Sequence, residues 1–128
     1  MRTIILLGSM SPEGIKVLRY WRTVYLQNGY KVYPTEEHLN EVNELVRSNM
    51  SGVFEKKRFE LMRVFYAWMR EADGAIVCNT NKDIGVGTAI DIGVALGLGK
   101  EVDFLEPPSD PNAFTIHLHG YKYLFGDS

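Results

Sequence analysis

The chain has 128 residues, 45% of them hydrophobic and 23% charged, with 12 glycines and 5 prolines. That is enough for one domain with a core of its own, too little for two ordinary domains, and neither a disordered nor a collagen-like composition. A formal net charge of −2 argues against a non-specific nucleic-acid binder, which needs a basic face, and a single cysteine, Cys78, leaves no intrachain disulfide and no thiolate zinc site.

The first stretch, "MRTIILLGSMSPEG", holds one short apolar run broken by Gly8. It is too short for a secretory core or a membrane span, and no later run approaches ~18 apolar residues, so a soluble, cytoplasmic protein without a membrane partner is expected. "TIILLG" reads as a buried strand: short, apolar, β-branched and ended by glycine. Helical spacing follows from Pro12, with Ile15, Leu18, Trp21, Val24, Tyr25 and Leu26 on one stripe, and Gly29 ends it. "YKVYP" is a short second strand closed by Pro34. From His38 to Ser51 the pattern is more polar, with one apolar edge at Leu39, Val42, Leu45 and Val46, and is read as a helix or a mobile excursion. Phe54 to Arg70 is helical and rich in aromatics. "DGAIVCN" is an apolar strand, the glycine-rich stretch after it opens a helix ended by Gly99, and "EVDFLEPP" is a fourth strand stopped by two prolines. The remainder, from Asn112, holds a short helix or a last strand.

Strands alternating with helices predict βαβ units: a single domain over residues 1–128, a three-layer α/β sandwich around a mostly parallel sheet of four or five strands, Rossmann-like in plan. In such open sheets ligands bind beyond the carboxyl ends of the strands. Gly8 and Ser9, Asn79 and Thr80, and Pro107 stand at three such ends, which directs the loop from Thr80 to Gly87 into the crevice.

Within "DIGVGTAIDIGVALGLGK", residues 83 to 100, Gly85 and Gly87 are spaced to turn backbone N–H groups and a positive helix terminus toward an anion. The third glycine of a dinucleotide fingerprint is missing, as is the G-K-[ST] of a phosphate loop. Asp91 admits two accounts. Thr88 and Asp91 have the spacing of a capping box, with Thr88 as N-cap, which makes the acid structural. Alternatively it is a reactive carboxylate aimed at a ligand. Gly93 and Gly97, each costing ~1 kcal/mol in helix propensity, suggest close packing of this helix on the sheet.

Together, "IILLGSMSPEG", "YKVYPTEEH", "WMREADGAIVCNT" and "GVGTAIDIGVALGLGKEV" resemble the nucleoside 2-deoxyribosyltransferase family, with most likeness to its branch of 2′-deoxynucleoside 5′-monophosphate N-glycosidases. The resemblance runs from residue 3 to residue 105, and its most specific part is Gly87, Asp91, Gly93, Ala95, Gly99 and Lys100. It implies a deoxyribosyltransferase-type fold and cleavage of an N-glycosidic bond, by hydrolysis or base transfer. On that likeness Asp91 is the nucleophile that attacks C1′, and Asp73 orients or protonates the substrate. Gly8, Ser9, Asn79, Asp83 and the Gly85–Gly87 turn contact the substrate. It implies no cofactor and no metal, and a homo-oligomer whose neighbour completes the pocket.

Two departures are visible. The family nucleophile is usually glutamate, and Asp91 is shorter by one methylene, ~1.5 Å against the ~0.5 Å tolerance of a catalytic site, so the backbone must compensate. Six residues before it, where the phosphohydrolase branch often has serine and the transferase branch aspartate, stands Gly85, with the nearest acid at Asp83. A chain that keeps the pocket while Asp91 only binds ribose or caps the helix would be a nucleotide-binding sensor, the rival of a different class. The cytokinin-activating phosphoribohydrolase type has a related turn, but this chain lacks its P-G-G and is short for it.

The other candidates read as structural. His117 and His119 alternate in "IHLHG" without a third ligand nearby, and His38 beside Glu36 and Glu37 is read as a surface or satisfied histidine rather than a metal ligand. Cys78 is read as a buried, inert thiol. Of the aromatics from Phe54 to Trp68, core packing is the default, with Trp68, at the end of a helix leading to the crevice strand, set apart as a possible stacking partner for a base. "FEKKRFE" is read as a solvated face from which Lys56, Lys57 or Arg58 can reach a phosphate.

Overall fold

A computed structural model describes residues 2–48, 51–78 and 85–106 of the chain. Eight elements follow one another: β1 (Thr3–Leu7), α1 (Pro12–Gln27), β2 (Lys31–Tyr33), α2 (Glu36–Ser48), α3 (Ser51–Glu71), β3 (Gly74–Val77), α4 (Val86–Gly97) and β4 (Glu101–Phe104). The four strands form one sheet in the order β2-β1-β3-β4, and every pairing is parallel.

β1 is apolar at every turn because it is covered on both faces, as parallel strands require. Ile4 to Leu7 are all buried, each such side chain contributing ~1.5–3 kcal/mol when removed from water. On one face Ile5 and Leu7 pack with Tyr33, Ala75, Val77 and Val102 against Phe65 and Met69 of α3 and Ile92 and Ala95 of α4. On the other, Ile4 and Leu6 pack with Val32 and Cys78 against Ile15 and Leu18 of α1 and Leu39 of α2. The chain grows from β1 toward β2 across one face, then from β2 to β3 and on to β4 across the other. Right-handed crossovers place helices on opposite faces when the direction of growth reverses, which puts α1 on one side and α3 and α4 on the other. The reversal opens a crevice between the carboxyl ends of β1 and β3.

Both helix ends marked by glycine in the sequence are closed in the same way. Gly29 (φ +88°) follows α1 and Gly99 (φ +75°) follows α4. In each, the residue after the glycine reaches back five: Tyr30 N–H to Tyr25 O and Lys100 N–H to Ala95 O, while the glycine N–H bonds the residue three before it. This is the Schellman closure, and the left-handed backbone is why glycine stands there.

One open reading is resolved and two expectations change. The segment opening with the two acids before His38 is a regular helix, α2, starting at Glu36, and it folds against α3: Lys57 Nζ lies 3.5 Å from Glu41 Oε2 and the His38 ring lies against Phe65. α4 begins earlier than the capping box required. Its N-cap is Gly85, with no side-chain cap, so Thr88 lies inside the first turn and is buried. Gly93 and Gly97 are exposed, with nothing within 4 Å of an added Cβ, so they do not pack α4 on the sheet; Thr88, Ile92 and Ala95 do. The fifth strand or short helix expected after Asn112 lies outside the described residues.

Candidate active site

Thr88, Ile92 and Ala95 form the buried line of α4, and Leu61, Phe65, Met69 and Ala72 the corresponding line at α3. Asp91 stands one position round from Ile92, and Tyr66 one position round from Phe65. Both therefore turn into the seam where the helices lie side by side, and there Tyr66 Oη donates to Asp91 Oδ1 at 2.9 Å. The carboxylate does not reach back to Thr88. The capping account of Asp91 fails on geometry, because no acid occupies the first turn of α4.

Electrostatics follow from this position. Burial in the seam raises the Asp91 carboxyl above the usual aspartate range, with the Tyr66 hydrogen bond opposing the rise. Burial, then the bond to Asp91, pushes Tyr66 up to about 12. The phenol therefore stays neutral at neutral pH and is the donor of the pair. A partly desolvated carboxylate whose second oxygen is uncommitted to Tyr66 is a competent nucleophile. The sequence pattern missed Tyr66, grouped there with core aromatics; its signal was a hydroxyl that needs a partner when its ring is packed.

The other expected site residues divide. Gly8 closes the end of β1 tightly: a Cβ there would lie 3.2 Å from Leu18 Cδ2 and 3.4 Å from Cys78 O. Ser9 is exposed. Its hydroxyl donates to Ser11 Oγ (2.9 Å) and accepts from Ser11 N–H (3.2 Å), bracing the cap that Ser11 makes on Gly14 N–H. The cap is pressed so closely on this loop that a Cβ on Gly14 would sit 2.1 Å from Ser9 O. Gly85 and Gly87 are exposed at the start of α4. Asn79 and Asp83 lie outside the described residues, as do His117 and His119. Asp73 is engaged elsewhere. It sits just before β3, where its Oδ2 accepts from Thr3 N–H at 2.8 Å and its own N–H bonds Thr3 O, tying the amino ends of β1 and β3.

Trp68 is part of the core wall rather than a free platform. Its ring stacks on Tyr33 (4.8 Å, 7°) and meets His38 edge-on at 4.9 Å. His38 is buried against Phe65 and Trp68, which makes it a packed histidine. Burial pushes the Cys78 thiol up to about 12, so it is inert as expected. Along the seam, Arg63, Tyr66, Ala67, Arg70, Val94 and Leu98 line an open groove of about 500 Å³. Among the described residues no three His, Cys, Asp or Glu side chains gather as a metal site, and no helix is long and apolar enough to cross a membrane.

No protein-family model and no curated protein matches the chain. A solved structure does: a 2-deoxyribosyltransferase from the psychrotolerant bacterium Bacillus psychrosaccharolyticus is similar at 21% identity, with a TM-score of 0.57, over 84% of this chain and 74% of that one. The likeness shows that the two share a fold.

Proposed function

We propose that this protein cleaves the N-glycosidic bond of a (deoxy)nucleoside or its 5′-monophosphate through a carboxylate glycosyl-enzyme intermediate, the base then being replaced by water or by a second base. The observation that carries the proposal is the Tyr66–Asp91 pair: an acid in the second turn of α4, partly desolvated, held by a phenol, and free of any capping duty. The shared fold with a 2-deoxyribosyltransferase supports it.

The chemistry runs in two displacements. One Asp91 oxygen attacks C1′ as the C1′–N bond breaks, the electron pair leaving with the base, which takes a proton from solvent. The resulting ester splits one oxocarbenium-like barrier into two lower ones. Water or an acceptor base, either losing a proton to solvent, then attacks C1′ from the opposite side and releases the carboxylate. Tyr66 does not touch the sugar in this scheme. It is a positioning residue that holds Asp91 Oδ1 and leaves the other oxygen for attack. Because Asp73 is engaged with Thr3, its work in this proposal is to join the strands.

The test is release of free base from a panel of ribo- and deoxyribonucleosides and their 5′-monophosphates, with and without an acceptor base, by wild type and Asp91→Asn. Turnover by wild type and a loss of at least ~10³-fold in the variant are expected, since losing a nucleophile removes a whole covalent route. Saturable binding of a nucleotide with no turnover of any substrate would replace the proposal with the sensor.

A further inference from the structure

α3 has 21 residues, ~31 Å at 1.5 Å per residue, whereas β1 has five, ~17 Å. Its last turn lies at the amino ends of the strands, because Glu71 is followed at once by the Asp73 tie to Thr3. Its amino-terminal half therefore runs on past the carboxyl ends of the sheet. Met62 and Phe59 stand four and seven residues before Tyr66, on the same helical face. They rise ~6 and ~10 Å above it toward the crevice. Both are exposed, Phe59 by 65% and Met62 by 39%, and neither belongs to the two core clusters. The Tyr66–Asp91 bond sets the two helices at one level, and Gly87 and Gly85, four and six residues before Asp91, rise ~6 and ~9 Å on the α4 side, with no described atom within 4 Å of an added Cβ. One wall is apolar and polarizable, the other carries two exposed glycines, and Asp91 lies at the foot.

We infer that Phe59 and Met62 receive the base of the substrate. This rests on the function proposed above: with C1′ at Asp91, the base leaves along the slot between α3 and the glycine turn. The slot favours a flat heterocycle, because an aromatic ring and a thioether both stack on a π-face and glycine lets the backbone come close to the other. Stacking of this kind reads area rather than hydrogen-bond pattern, so a purine is held more firmly than a pyrimidine.

Equilibrium binding of free adenine and free cytosine to the wild-type protein, Phe59→Ala, Phe59→Tyr, Met62→Ala and Asp91→Asn tests this apart from the chemistry. Phe59→Ala is expected to weaken adenine about tenfold, cytosine less, with Phe59→Tyr and Asp91→Asn binding as wild type and Met62→Ala in between. Phe59 is on the surface, so circular dichroism of Phe59→Ala should match wild type. Equal binding by wild type and both alanine variants, or no binding of either base to wild type, overturns the inference. Base binding that depends on Phe59 with no turnover of any nucleoside leaves the wall standing and removes glycosidic cleavage. Turnover with an unchanged base preference in Phe59→Ala removes the wall alone.

Discussion

The proposed site rests on two residues, Tyr66 and Asp91, and each shifts the other's hold on its proton. The phenol's hydrogen bond lowers the pKa that burial has raised on Asp91. Removing it with Tyr66→Phe leaves the carboxylate desolvated and without its donor, so the Asp91 pKa moves further up. In the proposed mechanism attack requires the ionised acid, so the acidic limb of the kcat/KM profile should move to higher pH in Tyr66→Phe, with kcat at pH 8 reduced ~10-fold or less because the proposed nucleophile itself remains. A profile lowered uniformly at all pH values would assign Tyr66 to packing alone. Asp91 was legible in the sequence only as a choice between cap and nucleophile. The three-residue spacing from Thr88 fits either role, and only the direction of the side chain separates them.

At the level of elements, glycines that look alike in sequence do different work. Gly14 allows the first turn of α1 to press on the loop after β1, and a Cβ there would meet a backbone oxygen. Gly93 faces open space in the middle of α4. Urea unfolding should therefore show Gly14→Ala less stable by ~1–3 kcal/mol through overpacking, and Gly93→Ala more stable by ~0.5–1 kcal/mol through helix propensity. A loss of stability in Gly93→Ala would mean that another surface packs there. Sequence periodicity located all four strands, because each is a short apolar run bounded by turns, and both Schellman glycines. It misplaced the start of α4, since an unassisted Gly85 cap leaves no polar signature and Thr88 supplied a false one. It also took Gly93 and Gly97 as packing positions, because propensity cost says that a glycine needs a reason and not on which side.

The whole molecule is a sheet with α1 on one face, α3 and α4 on the other, and α2 folded against α3 beside the β2 edge. His38 helps to close that edge, ringed by Phe65 and Trp68, and burial lowers its pKa although Glu41 pulls the other way. The folded chain thus holds this imidazole neutral while the unfolded chain protonates it below pH ~6.5, so the unfolded state binds more protons and stability falls as the pH drops through that value. The urea midpoint of wild type should decline more steeply between pH 7 and pH 5 than that of His38→Phe; superimposable declines would show that His38 titrates alike in both states. The layered fold was readable from the alternation of strands and helices. The pairing of α3 with α4 across the seam was not, because contacts between residues 25 apart, such as Tyr66 and Asp91, are set by which face of the sheet each crossover takes.

The burial of Asp91 also bears on how this chain would behave under selection. A carboxyl raised by burial keeps its proton more readily folded than unfolded, so its contribution to stability is best in acid and is lost as the pH rises through its folded pKa toward neutrality. An amide at that position has no charge to desolvate and still offers Tyr66 an oxygen. A library screened for heat resistance alone would be drawn toward Asp91→Asn, improving the scaffold while discarding the proposed nucleophile. Retention of an acid there under combined screening for heat resistance and base release is the signature of a site kept for what it does.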